Sequence, residues 1–270
     1  MPVAHAVPSC QVPTEFPLAA YATLASEAAA RAAETLRAGM AQHRAVRARY
    51  GREVKVEADQ TMNRLICQAL RRATPFRILS EESGSGRGDQ PPHAYWWIVD
   101  PLDGSANFAR GIPWSCVSIA LWRGLTPLVG VIHDVERAEQ FEGVVGQGAR
   151  LNGVPIHVSR VRTPGGAVLC TGFPTRRAYD ARSLTRTVRQ IQRYQKIRML
   201  GSAALSLAYV ACGRADVYEE ERIALWDVAA GVAIVQAAGG CLQMSPPDAE
   251  RTVSLRAGTP TLLGEDALRR

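Results

Sequence analysis

The sequence predicts an α+β protein made of two closely packed halves. Alanine- and arginine-rich helical stretches open the chain, and a series of short β-branched runs follows them. After Ser159 the pattern changes, and strands alternate with helices. No linker-like composition separates the two patterns. We therefore predict an N-terminal α+β half, residues 1–157, packed against a C-terminal α/β half, residues 158–270.

Two helices are predicted first. The stretch Pro17 to Arg49 contains few helix breakers, which predicts one long helix with Gly39 as its weakest point. A second helix fits Asp59 to Arg72, because its apolar residues recur on one face. The residues of that face are Met62, Leu65, Ile66, Ala69 and Leu70.

Short apolar runs in the middle of the chain predict strands. They are "FRIL", "WWIVD" and the longer stretch "CVSIALWRGLTPLVGVIHD", which "RGLTP" divides into two paired strands. The next stretch, "FEGVVGQGARLNGVPIHVS", predicts a hairpin with Asn152 and Gly153 as its turn.

Strands and helices alternate in the second half. "GAVLCTGF" predicts a strand, and the basic stretch Arg176 to Arg198 predicts a helix. The stretch "IRMLGSAALSLAYVACGRADVYEE", Ile197 to Glu220, predicts a strand, a turn, a helix and another strand. "WDVAAGVAIVQAAGG" predicts a helix that ends at its two final glycines, Gly239 and Gly240.

The composition of the 270-residue chain excludes several classes of protein. It is 47% hydrophobic, which is enough for a substantial core. No apolar run approaches the roughly 20 residues of a membrane helix. The N-terminus lacks the basic and apolar segments of a signal peptide. The six cysteines are scattered and form no C-x-x-C pair. We therefore expect a cytoplasmic protein with reduced thiols and no membrane association.

The net charge of +7 comes mostly from arginine, and part of it lies between Arg176 and Arg198. Such a segment can bind nucleic acid, steer an anionic substrate, or form a solvated helix face. Aromatic residues do not interleave with the basic ones as stacking on bases requires. Nucleic acid is therefore the less favoured partner, and the charge weakly favours a substrate with more than one phosphate.

Acidic residues stand at the edges of apolar segments at four places in the chain. Each alone can be a helix cap, a first-turn acid or a solvated loop charge. Together they indicate a cation site, because carboxylates at strand ends are costly to desolvate unless they are paired or bind metal. Oxygen ligands in this number suit Mg²⁺ or Mn²⁺. The residues are Asp59, Glu81, Glu82, Asp100, Asp103 and Asp227.

The turn "DPLDGS" combines the elements of a phosphate site. Asp100 and Asp103 can bend back to share a metal ion, and the Leu102 carbonyl between them is a further oxygen ligand. Residues 104–106 are predicted to open a helix, whose free N–H groups can bind a phosphate beside the metal. Metal, phosphate and a hydroxyl group together point to metal-assisted hydrolysis of a phosphate ester.

Three segments resemble a known family. "EES", "WIVDPLDGSANFARGIPWSCVSIAL" and "WDVAAGVAIVQAAGG" fit the motifs "GEE", "DPxDGTxNF" and "WDxAAG…EAGG" of the inositol monophosphatase family. Members of this family are Mg²⁺-dependent, often lithium-sensitive phosphatases. The resemblance covers roughly residues 40 to 265, and the order and separation of the motifs make it specific.

The resemblance implies a five-layer αβαβα sandwich, commonly a homodimer, that binds two or three Mg²⁺ ions, with Mn²⁺ as a substitute. The first ion would be held by Glu81, Asp100 and the Leu102 carbonyl. The second would be held by Asp100, Asp103 and Asp227. Glu81 would also support a third ion.

The resemblance also implies roles for the neighbouring residues. Gly104 and Ser105 would bind phosphate. Asp59 with Ser105 would orient and deprotonate the attacking water, next to the metal held by Glu81. The alcohol part of the substrate would contact a wider set, namely Asp103, Gly201, Ser202, Ala203, Glu220 and Asp227.

The chain departs from the family pattern at four places. Ser105 stands where the family commonly has Thr, which keeps the hydroxyl. Lys55 and Val56 stand where "VT" is usual, and the usual lysine of the preceding loop has no clear match, although Arg47, Arg49 or Arg52 can replace it. The stretch "YEEERIALWD" around Glu220 is more charged than the inositol-type pattern, so inositol phosphate is not the necessary substrate.

The sequence thus predicts a metal-dependent phosphoric monoester hydrolase that acts on a small polyol or sugar phosphate through a metal-activated water. Four alternatives are open within the family: fructose 1,6-bisphosphate, histidinol phosphate, a nucleotide 3′-phosphate, or a sugar phosphate of a specialised pathway. From another class, a nucleic-acid- or protein-binding regulator on the same fold is also open. The intact acidic set argues against this last alternative.

Overall fold

The computed structural model describes residues 17–39, 44–50, 53–83, 93–173 and 180–264. The first half contains three helices and nine strands within these ranges. In chain order they are α1 (Leu18–Ala38), β1 (Val46–Tyr50), β2 (Glu53–Val56), α2 (Glu57–Ala73), β3 (Arg77–Ser80), β4 (Tyr95–Asp103), α3 (Ser105–Arg110), β5 (Cys116–Arg123), β6 (Thr126–Asp134), β7 (Gln140–Val144), β8 (Gly148–Leu151) and β9 (Val154–Ile156).

The second half continues with five strands and four helices within the same described ranges. They are β10 (Val168–Cys170), α4 (Ala181–Ile191), β11 (Lys196–Arg198), α5 (Ala203–Ala211), β12 (Val217–Ala224), α6 (Leu225–Ala237), β13 (Cys241–Met244), β14 (Thr252–Gly258) and α7 (Pro260–Leu263). The predicted boundary at residues 157/158 falls in the connection between β9 and β10, and it stays a prediction.

Seven strands form a mixed sheet in the order β3-β4-β5-β6-β7-β8-β9. Only β3 and β4 are parallel, and the remaining strands form an antiparallel meander. The predicted Asn-Gly turn joins β8 to β9, and both of its residues have positive φ, 49° at Asn152 and 80° at Gly153. This is the conformation that Asn-Gly favours in tight hairpins. An additional turn separates β7 from β8, so the predicted hairpin is in fact a three-stranded unit.

Alternate residues of the seven-stranded sheet belong to two different cores. On β5, Val117, Ile119 and Leu121 pack with α1 and α2 on the outer face. Cys116 and Trp122 lie on the inner face, against α5 and α6. Helix α6 is buried on nearly all sides, as its almost entirely apolar sequence predicts.

The second sheet covers the other side of α5 and α6. It has five strands in the order β11-β10-β12-β14-β13. Its inner face contributes Tyr218 and Leu255 to the core around α5 and α6. Its outer face packs Leu169 and Val217 against residues of α4 and α7 and against Tyr194. The layers are therefore helices, seven-stranded sheet, helices, five-stranded sheet and helices, which confirms the predicted αβαβα sandwich.

One predicted element is wrong. The helix from Pro17 ends at Ala38, and its last turn is closed by the Gly39 N–H donating to the Thr35 carbonyl. Residues 46–50 form β1, paired antiparallel with β2. Hydrogen bonding to a neighbouring strand overrides helix propensity there, since Val46 and Tyr50 also suit a strand. Three short elements near the C-terminus, β13, β14 and α7, were not predicted. No described helix is both long and apolar enough to cross a membrane.

Close packing of α6 on the seven-stranded sheet depends on glycine. A Cβ atom at Gly130 of β6 would overlap the backbone carbonyl of Ala230 in α6. Backbone atoms in a buried helix cannot move aside easily, so a side chain here forces the layers apart.

We expect Gly130→Ala to reduce the free energy of unfolding by about 1–3 kcal/mol, because it overpacks this contact. Urea denaturation followed by circular dichroism measures the loss. Gly165→Ala is the matched control, since no atom lies within 4 Å of the Cβ that it would add. Equal stability of the two variants would contradict the assigned contact.

Candidate active site

A cavity of about 250 Å³ lies where the two halves meet. The first half contributes Glu81, the C-terminal end of β4 and the first residues of α3. The second half contributes residues around Gly172, the loop before α5, part of β12 and the start of α6. All the predicted site residues except Asp59 and Glu82 line this cavity: Glu81, Asp100, Leu102, Asp103, Gly104, Ser105, Gly201, Ser202, Ala203, Glu220 and Asp227.

A register break at the end of β4 allows both aspartates to reach the cavity. Asp100 pairs with Ser118 of β5, and Asp103 pairs with Cys116, so three steps along β4 match two along β5. Residues three apart on a regular strand point to opposite faces. The extra residue is a bulge that returns Asp103 to the face of Asp100.

Asp103 is held by groups from the second half. Its Oδ2 accepts hydrogen bonds from the Ser202 hydroxyl at 2.6 Å and from the Ala204 N–H at 2.8 Å. Ser202 is the N-cap of α5, whose positive end favours a nearby carboxylate. Burial nevertheless dominates and raises the pKa of Asp103 to about 6, although these hydrogen bonds lower it.

The charged form of the Asp100 carboxylate is disfavoured more strongly than that of Asp103. It is 1% exposed and accepts one backbone hydrogen bond, from the Leu102 N–H to Oδ1 at 3.0 Å. Burial, and then the charges of Glu81, Asp103 and Asp227, raise its pKa well above the usual range. A cation in the cavity would remove this penalty, since it favours the charged form of each carboxylate.

Asp59 reaches the site through Ser105. It is the third residue of α2, and its Oδ2 caps the helix by accepting a hydrogen bond from the Val56 N–H at 2.7 Å. Its Oδ1 lies 3.2 Å from the Ser105 hydroxyl, which also lies 2.8 Å from the Leu102 carbonyl. The helix-cap interpretation and the functional one are therefore compatible, because the two carboxylate oxygens have different partners.

The N-terminus of α3 faces the cavity, as the sequence predicted. Gly104 precedes the helix with φ 88°, and a Cβ there would lie 2.5 Å from the Trp114 carbonyl oxygen. Asn107 then anchors the helix, because its amide donates to the carbonyls of Trp114 and Leu200 at 2.9 and 2.8 Å. No role for Asn107 could be predicted from the sequence, because Leu200 is distant along the chain and Trp114 lies in an irregular segment.

Glu220 forms the far wall of the cavity. The buried Tyr218 hydroxyl donates to its Oε2 at 2.9 Å. The carboxylate lies so close to Gly172 that a Cβ at that position would overlap it. Burial raises the pKa of Glu220 to about 7. Neither Tyr218 nor Gly172 was identified from the sequence, because only the pairing of β10 with β12 brings them together.

Other lining residues were also missed, and most are small or apolar. They are Thr171, Phe173, Ser206, Ile223 and Trp226. Glu82 carried the same sequence signal as Glu81 but does not line the cavity. Both belong to a short 3₁₀ turn after β3, Glu81–Ser83, so neighbouring side chains point in different directions.

The donor set fits a partly hydrated magnesium ion better than a closed metal cage. Within the described ranges, no three His, Cys, Asp or Glu side chains are arranged as a ready metal-binding group. Mg²⁺ keeps several waters and binds through one or two carboxylates plus substrate phosphate. Buried carboxylates that repel one another across a polar cavity are consistent with such an ion.

The described part of the basic segment lies away from the cavity. Ile191 at the end of α4 and the following Tyr194 pack on the outer face of the second sheet, whereas Tyr218 faces inward to the cavity. Arg186 of α4 pairs with Glu221 at 2.7 Å on the exposed surface. Residues 174–179 lie outside the described ranges. The position of α4 therefore gives no support to a substrate with more than one phosphate.

Comparison with known proteins identifies the family of the chain. The sequence matches the model of the Inositol monophosphatase family over residues 18–258. The chain belongs to this family. It is 38% identical over 259 residues to an inositol monophosphatase of Mesembryanthemum crystallinum, covering 92% of this chain and 94% of the relative. It is also 44% identical over 186 residues to Nus factor SuhB of Xylella fastidiosa, covering 68% and 66%.

Solved structures of other proteins share the fold. An inositol monophosphatase from Anabaena superposes with a TM-score of 0.76 at 35% identity, covering 94% of this chain and 97% of that one. The extragenic suppressor protein SuhB from Bartonella henselae superposes with a TM-score of 0.80 at 32% identity, covering 93% and 97%. The predicted family and fold are therefore confirmed.

The raised pKa of Asp103 predicts how the metal-free protein responds to pH. The folded state holds this proton more tightly than the unfolded state, whose pKa is near 3.8. Protonation of Asp103 therefore makes its full contribution to the free energy of unfolding below about pH 4, and this contribution is lost as pH rises through about 6. We expect chelator-treated protein to lose stability over this window, and Asp103→Asn to reduce the loss.

Urea denaturation across pH 4 to 8 in the presence of chelator measures this effect. Asp248→Asn is the control, because Asp248 lies outside the cavity and its pKa is lowered. Identical pH profiles for wild type and Asp103→Asn would contradict the assignment.

Proposed function

We propose that this protein is a Mg²⁺-dependent phosphomonoesterase that hydrolyses a small polyol phosphate or sugar phosphate with water as the nucleophile. The observation that carries the proposal is the meeting of four carboxylates, in addition to that of Glu220, at one cavity. Glu81, Asp100, Asp103 and Asp227 come from both halves of the chain and line the same space as the first turn of α3.

Two or three metal ions would be held by the residues that the family resemblance implied. Glu81, Asp100 and the Leu102 carbonyl would hold one, and Asp100, Asp103 and Asp227 a second. When bound, Mg²⁺ or Mn²⁺ supplies Lewis acidity, which acidifies water and neutralises charge on the phosphate and the leaving oxygen.

Ser105 and Asp59 would remove the proton from the attacking water. The Ser105 hydroxyl has one hydrogen and two acceptors in reach, the Leu102 carbonyl and Asp59. If the Leu102 carbonyl serves as a metal ligand, the Ser105 hydroxyl donates its hydrogen bond to Asp59 instead. Ser105 can then accept a hydrogen bond from water and pass its own proton towards Asp59.

The first turn of α3 would bind the phosphate. Its leading N–H groups have no intrahelical carbonyl to donate to, as at any helix start. Gly104, in the left-handed conformation, brings the backbone of this turn close to Trp114 and to the cavity.

The opposite wall would bind the alcohol part of the substrate. Glu220 has a pKa of about 7, so it can accept or donate a hydrogen bond to a hydroxyl near neutral pH. Thr171 adds a polar side chain, and Phe173 and Trp226 add apolar surface. Such a mixed wall suits a polyhydroxylated ring with C–H faces. Ser202 contributes less directly, because its hydroxyl is already engaged with Asp103.

A second candidate is regulation through a macromolecular partner. It is favoured by relatives named Nus factor SuhB, from Xylella fastidiosa and from Pasteurella multocida. It does not account for the buried carboxylates of the cavity. Filter binding to RNA, set beside a Mg²⁺-dependent phosphatase assay, separates the two functions.

We also propose that the protein is a homodimer in the cytoplasm. The described cysteines are all free thiols, which suits a reducing compartment. Gel filtration with light scattering tests the dimer.

Phosphate release from a panel of phosphomonoesters, with Mg²⁺, with Mn²⁺ and with chelator, tests the proposed reaction and identifies the substrate. Fructose 1,6-bisphosphate, histidinol phosphate and nucleotide 3′-phosphates belong in the panel beside inositol phosphates. Full turnover after exhaustive chelation would refute the metal mechanism.

We expect Asp100→Asn and Asp227→Asn to abolish turnover while the fold is retained. Each substitution keeps the shape of the side chain but removes a charge that a cation needs. Steady-state phosphate release measures the effect, with Asp248→Asn as the control. A variant that kept more than about a tenth of the wild-type rate, a barrier change under ~1.4 kcal/mol, would contradict the ligand assignment.

We expect Ser105→Ala to lower kcat by about 10²-fold with KM nearly unchanged, because it removes the hydroxyl but keeps the backbone N–H. Ser105→Thr keeps the hydroxyl and should retain most activity. Asp59→Asn should resemble Ser105→Ala, and the double variant should be little worse than either, as expected of residues that act as one unit. Fully additive losses would mean that Ser105 and Asp59 act separately.

A further inference from the structure

Ser118 carries a buried hydroxyl that the proposed mechanism does not use. The residue is 1% exposed, and its Oγ has no hydrogen-bond partner among the described residues. Its neighbours on the same face of β5 are Cys116 and Ala120, which belong to the core around α5 and α6. Buried hydroxyl groups without partners are rare in folded proteins, so this one requires an explanation.

The register of the sheet places Ser118 directly opposite Asp100. The two residues are paired across the antiparallel strands β4 and β5. Directly opposite residues share one face of the sheet, with Cβ atoms about 4.5–5.5 Å apart. A serine hydroxyl and an aspartate carboxylate at that separation come within hydrogen-bond reach by rotation about χ1 alone.

Asp100 has a carboxylate oxygen available for such a bond. The one hydrogen bond that the described protein donates to this side chain comes from the Leu102 N–H and goes to Oδ1. Asp103, in contrast, is held by the Ser202 hydroxyl and the Ala204 N–H. The more buried of the two aspartates is therefore the one with fewer donors.

The next pair along the same two strands already shows the arrangement. Cys116, two residues before Ser118, is paired with Asp103, and its thiol lies 3.9 Å from Oδ2 of that residue. Strand β5 thus places a donor group behind each aspartate at the end of β4. For Asp103 the contact is made, and for Asp100 the donor is in place without a bond.

We propose that Ser118 is a positioning residue, whose hydroxyl donates a hydrogen bond to Asp100 when that carboxylate holds a cation. This inference rests on the proposed function. A hydrogen-bond donor to the carboxylate oxygen that faces away from the metal fixes the plane of the carboxylate. It also offsets the negative charge of this buried group, which the neighbouring carboxylates repel. Metal-ligating carboxylates commonly have such partners, and their loss typically weakens metal binding or activity 10–100-fold.

A purely structural role for Ser118 makes a different prediction. Helix α6 packs closely on this face, as the bond from Trp122 Nε1 to the Ala229 carbonyl shows, so a small residue is needed. In that case alanine would serve equally well, with or without metal. The response to metal therefore separates the two roles.

The test is Mg²⁺ binding to substrate-free protein by titration calorimetry, together with thermal unfolding in chelator and in Mg²⁺. We expect Ser118→Ala to match or exceed wild-type stability in chelator, because no bond is lost there. Its affinity for Mg²⁺ should fall about 10–100-fold, and the stabilisation by Mg²⁺ should shrink accordingly. Ser118→Thr, which keeps the hydroxyl, should restore most of the affinity.

Ser26→Ala is the matched control. Its hydroxyl is also mostly buried and donates to Glu142 at 2.6 Å, on the outer side of the seven-stranded sheet. We expect this variant to lose some stability but to bind Mg²⁺ as wild type does. Ser118→Ala with Mg²⁺ affinity within twofold of wild type would overturn the positioning role. Absence of Mg²⁺ binding by wild-type protein would instead overturn the proposed function, and this inference with it.

Discussion

The candidate site depends on the bulge at the end of β4. A regular strand would send Asp100 and Asp103 to opposite faces of the sheet, one towards the outer helices and one towards the cavity. The break in register places both on the inner face, where they repel each other in a buried setting. Three features offset this repulsion: the N-terminus of α5 beside Asp103, the hydrogen bonds to its Oδ2, and the cation that we propose.

The carboxylates that the proposed function requires also destabilise the fold at this cavity. The layers of the sandwich bury continuous apolar cores on both faces of the seven-stranded sheet. The stability gained by burying these cores allows the fold to tolerate a group of carboxylates with raised pKa values between the halves. Active sites commonly accept such local destabilisation, because the same charges are what the reaction requires.

The residues of the candidate site could be predicted from the sequence more completely than the helices and strands that surround it. The acids at strand ends and the "DPLDGS" turn could be recognised because their chemistry is local: a strand, a tight turn and a helix start within a few residues. Asp59 was one of these acids, and its catalytic role came from the family resemblance, although it does not line the cavity. Tyr218, Gly172 and Asn107 could not be found, since each acts through a partner distant along the chain. The strand Val46–Tyr50 was mistaken for helix, because its pairing with β2 outweighs local propensity.

Tyr218 and Glu220 of the cavity wall lie on the second sheet and Gly172 follows its strand β10, whereas three of the four carboxylates proposed to hold metal belong to the first half. In the function that we propose, selection of the substrate and cleavage of the phosphate ester would thus belong to different structural layers. Mutations along β10 and β12 can reshape the alcohol-binding wall while leaving β4 and its bulge unchanged. The architecture therefore lets related chains diverge in what they hydrolyse without rebuilding how they do it, and it makes this sheet the natural place to re-engineer specificity.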